Sequence, residues 1–167
     1  GFFNAPVNYS AEFTIPNCCS FPGRVAALTI GDFDSDNDLD IGTAIATNVS
    51  VRPAKIYFNN GSGVFDQSTD YNHSGSNGAS YSITSANIDG DNDLDIILGG
   101  TSQGFGSMSY LINDGTGVFQ ISPLQRLTGN YPMDLEVADF NDDGHIDYAA
   151  RVDSFSGRSS LKLLTNQ

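Results

Sequence analysis

Three stretches of the chain carry acidic and amide residues at one spacing: GDFDSDNDLDI at 31–41, ANIDGDNDLDI at 86–96 and ADFNDDGHIDY at 138–148. Self-similarity of this kind marks a repeat architecture, in which each unit buries its apolar surface against the next. A second motif keeps step with the first: NNGSGVF ends at Phe65 and NDGTGVF at Phe119, and the opening GFF ends at Phe3. The two motifs return about every 52 to 62 residues, a period long enough for several strands but short for a domain.

Between the motifs, β-branched and aromatic residues alternate with polar ones and are bounded by Gly, Asn and Asp, the pattern of short strands. Strands are expected at 25–30, 80–85 and 133–138 before the acidic loops, and at 39–46, 94–99 and 146–152 after them. Third strands follow at 54–58, 108–112 and 161–164, and fourth strands at 65–71, 119–124 and, by alignment, 2–9. No segment has a helical period. The expectation is an all-β chain, one domain over 1–167, with repeats at approximately 1–62, 63–116 and 117–167. Four antiparallel strands per repeat of about 50 residues is the unit of a β-propeller blade. Three such blades make a partial propeller, or one completed between molecules.

In the first loop Asp32, Asp34, Asp36 and Asp40 hold the first, third, fifth and ninth positions. The second loop offers Asn87, Asp89, Asp91 and Asp95, and the third Asp139, Asn141, Asp143 and Asp147. A tight turn folds such residues around one point. Hard oxygen ligands in that arrangement suit calcium, which takes six to eight of them at about 2.3–2.6 Å. The seventh residue, Asp38, Asp93 or His145, can add its backbone carbonyl. The sixth, Asn37, Asn92 or Gly144, tolerates the left-handed backbone of a sharp loop. Thirteen of the twenty acids lie in these loops, and three divalent cations would bring the formal charge from -13 to -7. Three Ca²⁺ sites are therefore expected. They are not EF-hands, because the twelfth position is Thr43, Leu98 or Ala150 rather than Glu.

The DxDxDxxxD loops, the N-[ND]-G-x-G-x-F turns and the GFFNAPVNY opening resemble the FG-GAP or VCBS repeats of integrin-α-like β-propellers. The resemblance covers nearly the whole chain. It implies four-stranded blades, loops joining two strands of one blade, and calcium with a structural role. Such repeats occur in adhesion proteins, lectins and surface proteins, so it implies an extracellular or cell-surface location without fixing an activity.

Other chemistry has little material. GTSQG at 100–104 fits G-x-S-x-G around Ser102, but FGSMSYLIND after it reads as turn and strand, where a nucleophile elbow needs a helix. His73 and His145 are the two histidines, too few for a triad or zinc enzyme. Glu12, Asp66, Asp70, Asp134 and Glu136 lie outside the loops with no context marking a glycosidase pair. A non-enzyme is expected. A pI near 4.1 repels phosphate backbones and anionic membranes, excluding nucleic acid, and no apolar run could insert in a bilayer. The alternative is a carbohydrate-binding lectin, with Tyr71, Tyr81, Phe105, Tyr110 or Tyr131 stacking on sugars, or a fragment of a larger adhesion propeller. Four N-x-S sequons, at Asn8, Asn48, Asn60 and Asn72, could carry glycans. The adjacent Cys18 and Cys19 fit a reduced pair, a vicinal disulfide, or bridges to other chains.

The chain opens at Gly1 rather than Met, as a trimmed or processed protein would. Its first segment aligns with a fourth strand, and LKLLTNQ at its other end with a third. Other copies of the chain are thus expected as partners, the first strand of one completing the last blade of another, head to tail, into a ring or filament. Glycans or surface proteins are further candidate partners.

Overall fold

A computed structural model describes residues 5–9, 13–14, 20–21, 23–46, 51–74, 79–102, 105–123, 125–127, 131–154 and 157–166. Among them there is no helix, and none therefore long and apolar enough to cross a membrane. Three antiparallel sheets carry the fold. The first runs β3 (Arg24–Gly31), β4 (Asp40–Ala46), β5 (Val51–Phe58) and β6 (Gln67–Ser74) in sequence order. In the second, β7 (Ser80–Ala86), β8 (Asp95–Ser102) and β9 (Phe105–Asn113) are followed by β10 (Phe119–Ile121) and β11 (Gln125–Leu127), both paired to β9. The third holds β12 (Tyr131–Ala138), β13 (Asp147–Asp153) and β14 (Ser159–Leu164). Separately, β1 (Phe13–Thr14) pairs with β2 (Ser20–Phe21).

Most strands fall where alternation places them; β1 and β2 were not expected, the strand expected at 65–71 runs 67–74, and two expected strands need further correction. The expected strand at 119–124 is split: Pro123 has no N–H to give the ladder, and Ser122 instead meets Tyr110 through its backbone N–H (2.9 Å) and its hydroxyl (3.2 Å). Leu124 lies outside the described residues. The expected strand at 2–9 is not one over residues 5–9. Those residues are exposed, and Tyr9 packs on Tyr57 and Phe65 with ring centroids 6.1 and 5.6 Å away. Residues 1–4 and both cysteines are outside the described residues.

The sheets stack face to face. The β4/β5 pairing puts Gly42, Ala44, Ala54 and Ile56 on one face, against Ile83, Ile96, Leu98 and Leu111 of the second sheet. Opposite side chains of the second sheet, Ile97 and Met108, meet Leu135, Ala150 and Val152 of the third. The second sheet is thereby apolar on both faces, which is why β8 reads as the near-continuous run DIILGG rather than alternating. The inner strands β3, β7 and β12 line a cleft, and all three acidic loops leave their ends on one side of the stack.

Candidate metal centre

Each acidic loop joins the first strand of a sheet to the second, and its ninth residue opens that second strand. Asp40, Asp95 and Asp147 are all fully buried there. Each carboxylate accepts two backbone N–H groups. For Asp40 they come from Phe33 (2.9 Å) and Asn59 (2.8 Å), for Asp95 from Ile88 (2.7 Å) and Asn113 (2.8 Å), and for Asp147 from Phe140 (3.1 Å) and Asn166 (2.8 Å). One side chain thus ties the loop's second residue to the end of the third strand, and two amide donors are what a buried carboxylate needs. Burial pushes the Asp40 and Asp95 carboxyls above the ordinary carboxylate value, with those N–H bonds working in the opposite direction.

The outer half of each loop is a run of turns closed by its own side chains. Asp32 accepts from the N–H of Asp36 (3.2 Å) and Asn37 (3.0 Å), and Asp139 from Asp143 (3.1 Å) and Gly144 (2.7 Å). The bonds to Gly144 and Asp143 hold Asp139 below the usual carboxylate range. Asp36, Asp91 and Asp143 each accept the N–H two residues on, at 2.8, 3.0 and 2.9 Å. Left-handed backbone occurs at the sixth position, as expected, with φ of 73° at Asn37, 81° at Asn92 and 86° at Gly144. It also occurs at the fourth, at Ser35, Gly90 and Asp142, a second reversal that the residue types alone do not announce.

In the first loop Asp32, Asp34 and Asp40 each bring a carboxylate oxygen within 4.8 Å of the others. Ligands held at about 2.3–2.6 Å from one calcium ion stand at most about 5 Å apart, so the trio fits a hard cation. The Asp34 carboxyl is raised by burial and then by the charges of Asp40 and Asp36, repulsion that a cation would relieve. Among the described residues no other loop brings three carboxylates so close. The second has Asn87 at its first position, with its amide oxygen on the Gly90 N–H at 2.7 Å, and the third has Asn141, which bonds Asp143 from both ends of its amide. The seventh side chains point elsewhere: a Cβ on Gly61 would stand 2.7 Å from Asp38 Oδ2, and one on Gly115 would strike Asp93 Oδ2. Asp38 and Asp93 therefore cover the neighbouring glycine turns, and could serve a cation only through their backbone. His145 is exposed.

Three further residues belong to the site. Asn59 donates to the Leu39 carbonyl (3.2 Å) while its oxygen takes the N–H of Gly61 (3.2 Å) and Gly63 (3.0 Å). Asn113 donates to Leu94 O (3.1 Å) and, across the stack, to Phe33 O in the first loop (2.8 Å). Asn166 supplies its N–H to Asp147. The signal for them was in the sequence, an Asn 18 or 19 residues after each ninth aspartate, though the motif's glycines drew attention to the turn alone.

The remaining candidates scatter. Ser102 closes β8 opposite Phe105 of β9, a strand-to-strand turn. Asp70 is 3.0 Å from Lys55, and Asp66, Asp134 and Glu136 are exposed on separate strands or loops. Glu12 and the side chains of His73 and Tyr131 lie outside the described residues. Of the sugar-stacking candidates, Tyr71 and Tyr110 are packed between sheets, whereas Phe105 is 49% exposed. Asn8 is exposed; Asn60 spends its oxygen on the Ser62 N–H (3.1 Å) and hydroxyl (2.6 Å). Asn48 and the Asn72 side chain are not among the described residues.

The family model of the FG-GAP-like repeat matches residues 87–150. This stretch is similar to an FG-GAP-like repeat. The match opens on the first residue of the second acidic loop and closes just past Asp147, so the FG-GAP-like unit runs from loop to loop across two of the stacked sheets. The first sheet repeats the same loop, staple and turn outside the matched residues. No curated protein matches the chain.

Proposed function

We propose that the chain is an extracellular, calcium-stabilised structural or adhesive module of the propeller type, associating head to tail with other copies. The convergence of Asp32, Asp34 and Asp40 carries the calcium reading. There the ion would supply electrostatic cross-linking and no reaction: Asp32, Asp34 and Asp40 would hold it in the first loop, and the first, third, fifth and ninth residues in the others. Extracellular calcium, at roughly millimolar levels, suits sites built from a few carboxylates on short loops. Titration calorimetry of chelator-treated protein checks this, with saturable calcium uptake expected and one site fewer in Asp34→Ala. No heat and no change of melting temperature on adding calcium would refute it.

The association reading is supported by the third sheet, where β14 is the last strand and Leu161 and Leu163 are 77% and 55% exposed on the face away from the second sheet. An edge strand beside an apolar face is a template for strand addition. Light scattering decides it: the intact chain should exceed monomer mass and the chain lacking residues 1–9 should not, and a monomeric intact chain overturns the proposal.

A further inference from the structure

The first acidic loop is walled by the second repeat as well as by its own turns, with contacts at Gly31, Phe33 and Asp34. Leu94, the eighth residue of the second loop, packs so close over Gly31 that a Cβ there would stand 2.7 Å from its Cδ1. The Phe33 ring meets Phe119 edge to face, and the Phe33 carbonyl accepts the side-chain N–H of Asn113 at 2.8 Å. The contact at Asp34 bears on a candidate metal ligand itself. A Cβ on Gly117, in the glycine turn after β9, would stand 3.2 Å from Asp34 Cβ and 2.7 Å from the edge of the Phe58 ring.

Gly117 cannot back away from that contact. Tyr71, reaching over from the first sheet, donates its hydroxyl to the Gly117 carbonyl (3.0 Å) and accepts the Phe119 N–H (3.3 Å), which holds the turn on both sides of Val118. A side chain at 117 would therefore press on Phe58 and on Asp34. Relieving the clash with Asp34 takes a shift of a few tenths of an ångström, as wide as the whole range of calcium–oxygen distances, about 2.3–2.6 Å. Asp34 is also the member of the trio that its own loop holds least. Asp32 and Asp40 each accept two backbone N–H groups of the first repeat, whereas Asp34 shares the Asp36 N–H with Asp32 at 3.3 Å. What backs the Asp34 side chain is the turn of the second repeat.

We infer that Gly117 is a positioning residue for the cation site of the first loop, and that an ion held there clamps the first repeat to the second. The inference rests on the calcium reading and adds to it that a neighbouring repeat completes the site. Linkage then runs both ways: loosening the junction weakens calcium, and calcium tightens the junction by the same factor. Titration calorimetry of the chelator-treated chain with calcium tests it. Gly117→Ala should weaken one site by about tenfold or more, as disturbing a residue that orients a metal ligand does, and leave the others unchanged. In an Asp34→Ala background Gly117→Ala should alter no remaining site, which assigns the weakened one to the first loop. Gly157→Ala isolates backbone strain, since Gly157 has the same left-handed conformation (φ 75° against 77°) and no described atom within 4 Å of its Cβ position, and it should leave every site intact. Gly31→Ala presses on the same wall through Leu94 and Phe33 from an ordinary strand backbone, and should weaken the same site. Unaltered affinity at every site in folded Gly117→Ala, or in Gly31→Ala where Gly117→Ala does not fold, overturns the clamp and leaves the calcium reading standing, as does equal weakening by Gly157→Ala. No calcium uptake by the unsubstituted chain overturns both.

Discussion

The junction between the first and second sheets and that between the second and third are assembled from equivalent positions, yet different side chains occupy them. At the first, Phe33 and Phe119 meet edge to face, and Asn113 reaches across to the Phe33 carbonyl. Thr29 and Ser85 hydroxyls, 3.0 Å apart, tie the inner strands. At the second, the small Ile88 replaces Phe33, and Tyr110 and Tyr148 stand 6.1 Å apart where the first has isoleucines. Burial pushes both phenols above their ordinary value. Staples and strand register are the same on both sides, so stacking does not depend on which apolar side chains fill the junction. The acidic loops and their staples set the geometry, and the aromatic residues set how tightly each junction is packed.

The largest way to break the comparison is Phe119→Ala, which should cost about 3–5 kcal/mol in urea unfolding because it removes a buried ring packed on Phe33 and Tyr71. Calcium removal comes next. At free calcium ten times each dissociation constant, binding contributes about 1.4 kcal/mol per site, so EDTA should remove roughly 4 kcal/mol over three sites. Asn113→Ala should cost about 1–3 kcal/mol, more than Asn59→Ala, whose amide reaches only its own loop. The reciprocal pair Phe33→Ile and Ile88→Phe should destabilise and stabilise by about 1 kcal/mol respectively, seen as opposite shifts in melting temperature.

The smallest effect is pH dependence without calcium. Asp34, Asp40 and Asp95 have folded values raised above the ordinary 3.8, so the fold binds their protons more tightly than the unfolded chain does. Their contribution favours folding fully below 3.8 and is lost as pH rises through the raised values. In EDTA the melting temperature should therefore rise as pH falls from about 7 toward 4, and saturating calcium should flatten the trend.

The loops were legible because each repeats five or six polar residues in phase, and repetition separates an ordered loop from a stray acidic run. Strand positions were legible from alternation. The dual use of Asp40, Asp95 and Asp147 was not, because nothing in an aspartate's spacing says that two distant N–H groups will find it. The segment at 2–9 aligned with strands through Phe3 and Tyr9, but over residues 5–9 no strand forms. The difference between the junctions was illegible for a simpler reason: Ile88 and Phe33 both read as apolar, and only packing distinguishes their volumes.

The staple also sets where the chain can change length. Asp40, Asp95 and Asp147 lie 19, 18 and 19 residues from their asparagines, yet the residue after each aspartate always pairs with the residue two before the asparagine. The extra residue is thus absorbed at the far hairpin, between the second and third strands, away from the acidic loops. Insertions between the last paired residues, Ala44 and Ala54, Ser102 and Phe105, or Asp153 and Ser159, would leave loop, staple and register untouched, which makes these connections the natural places to graft foreign sequence onto the scaffold.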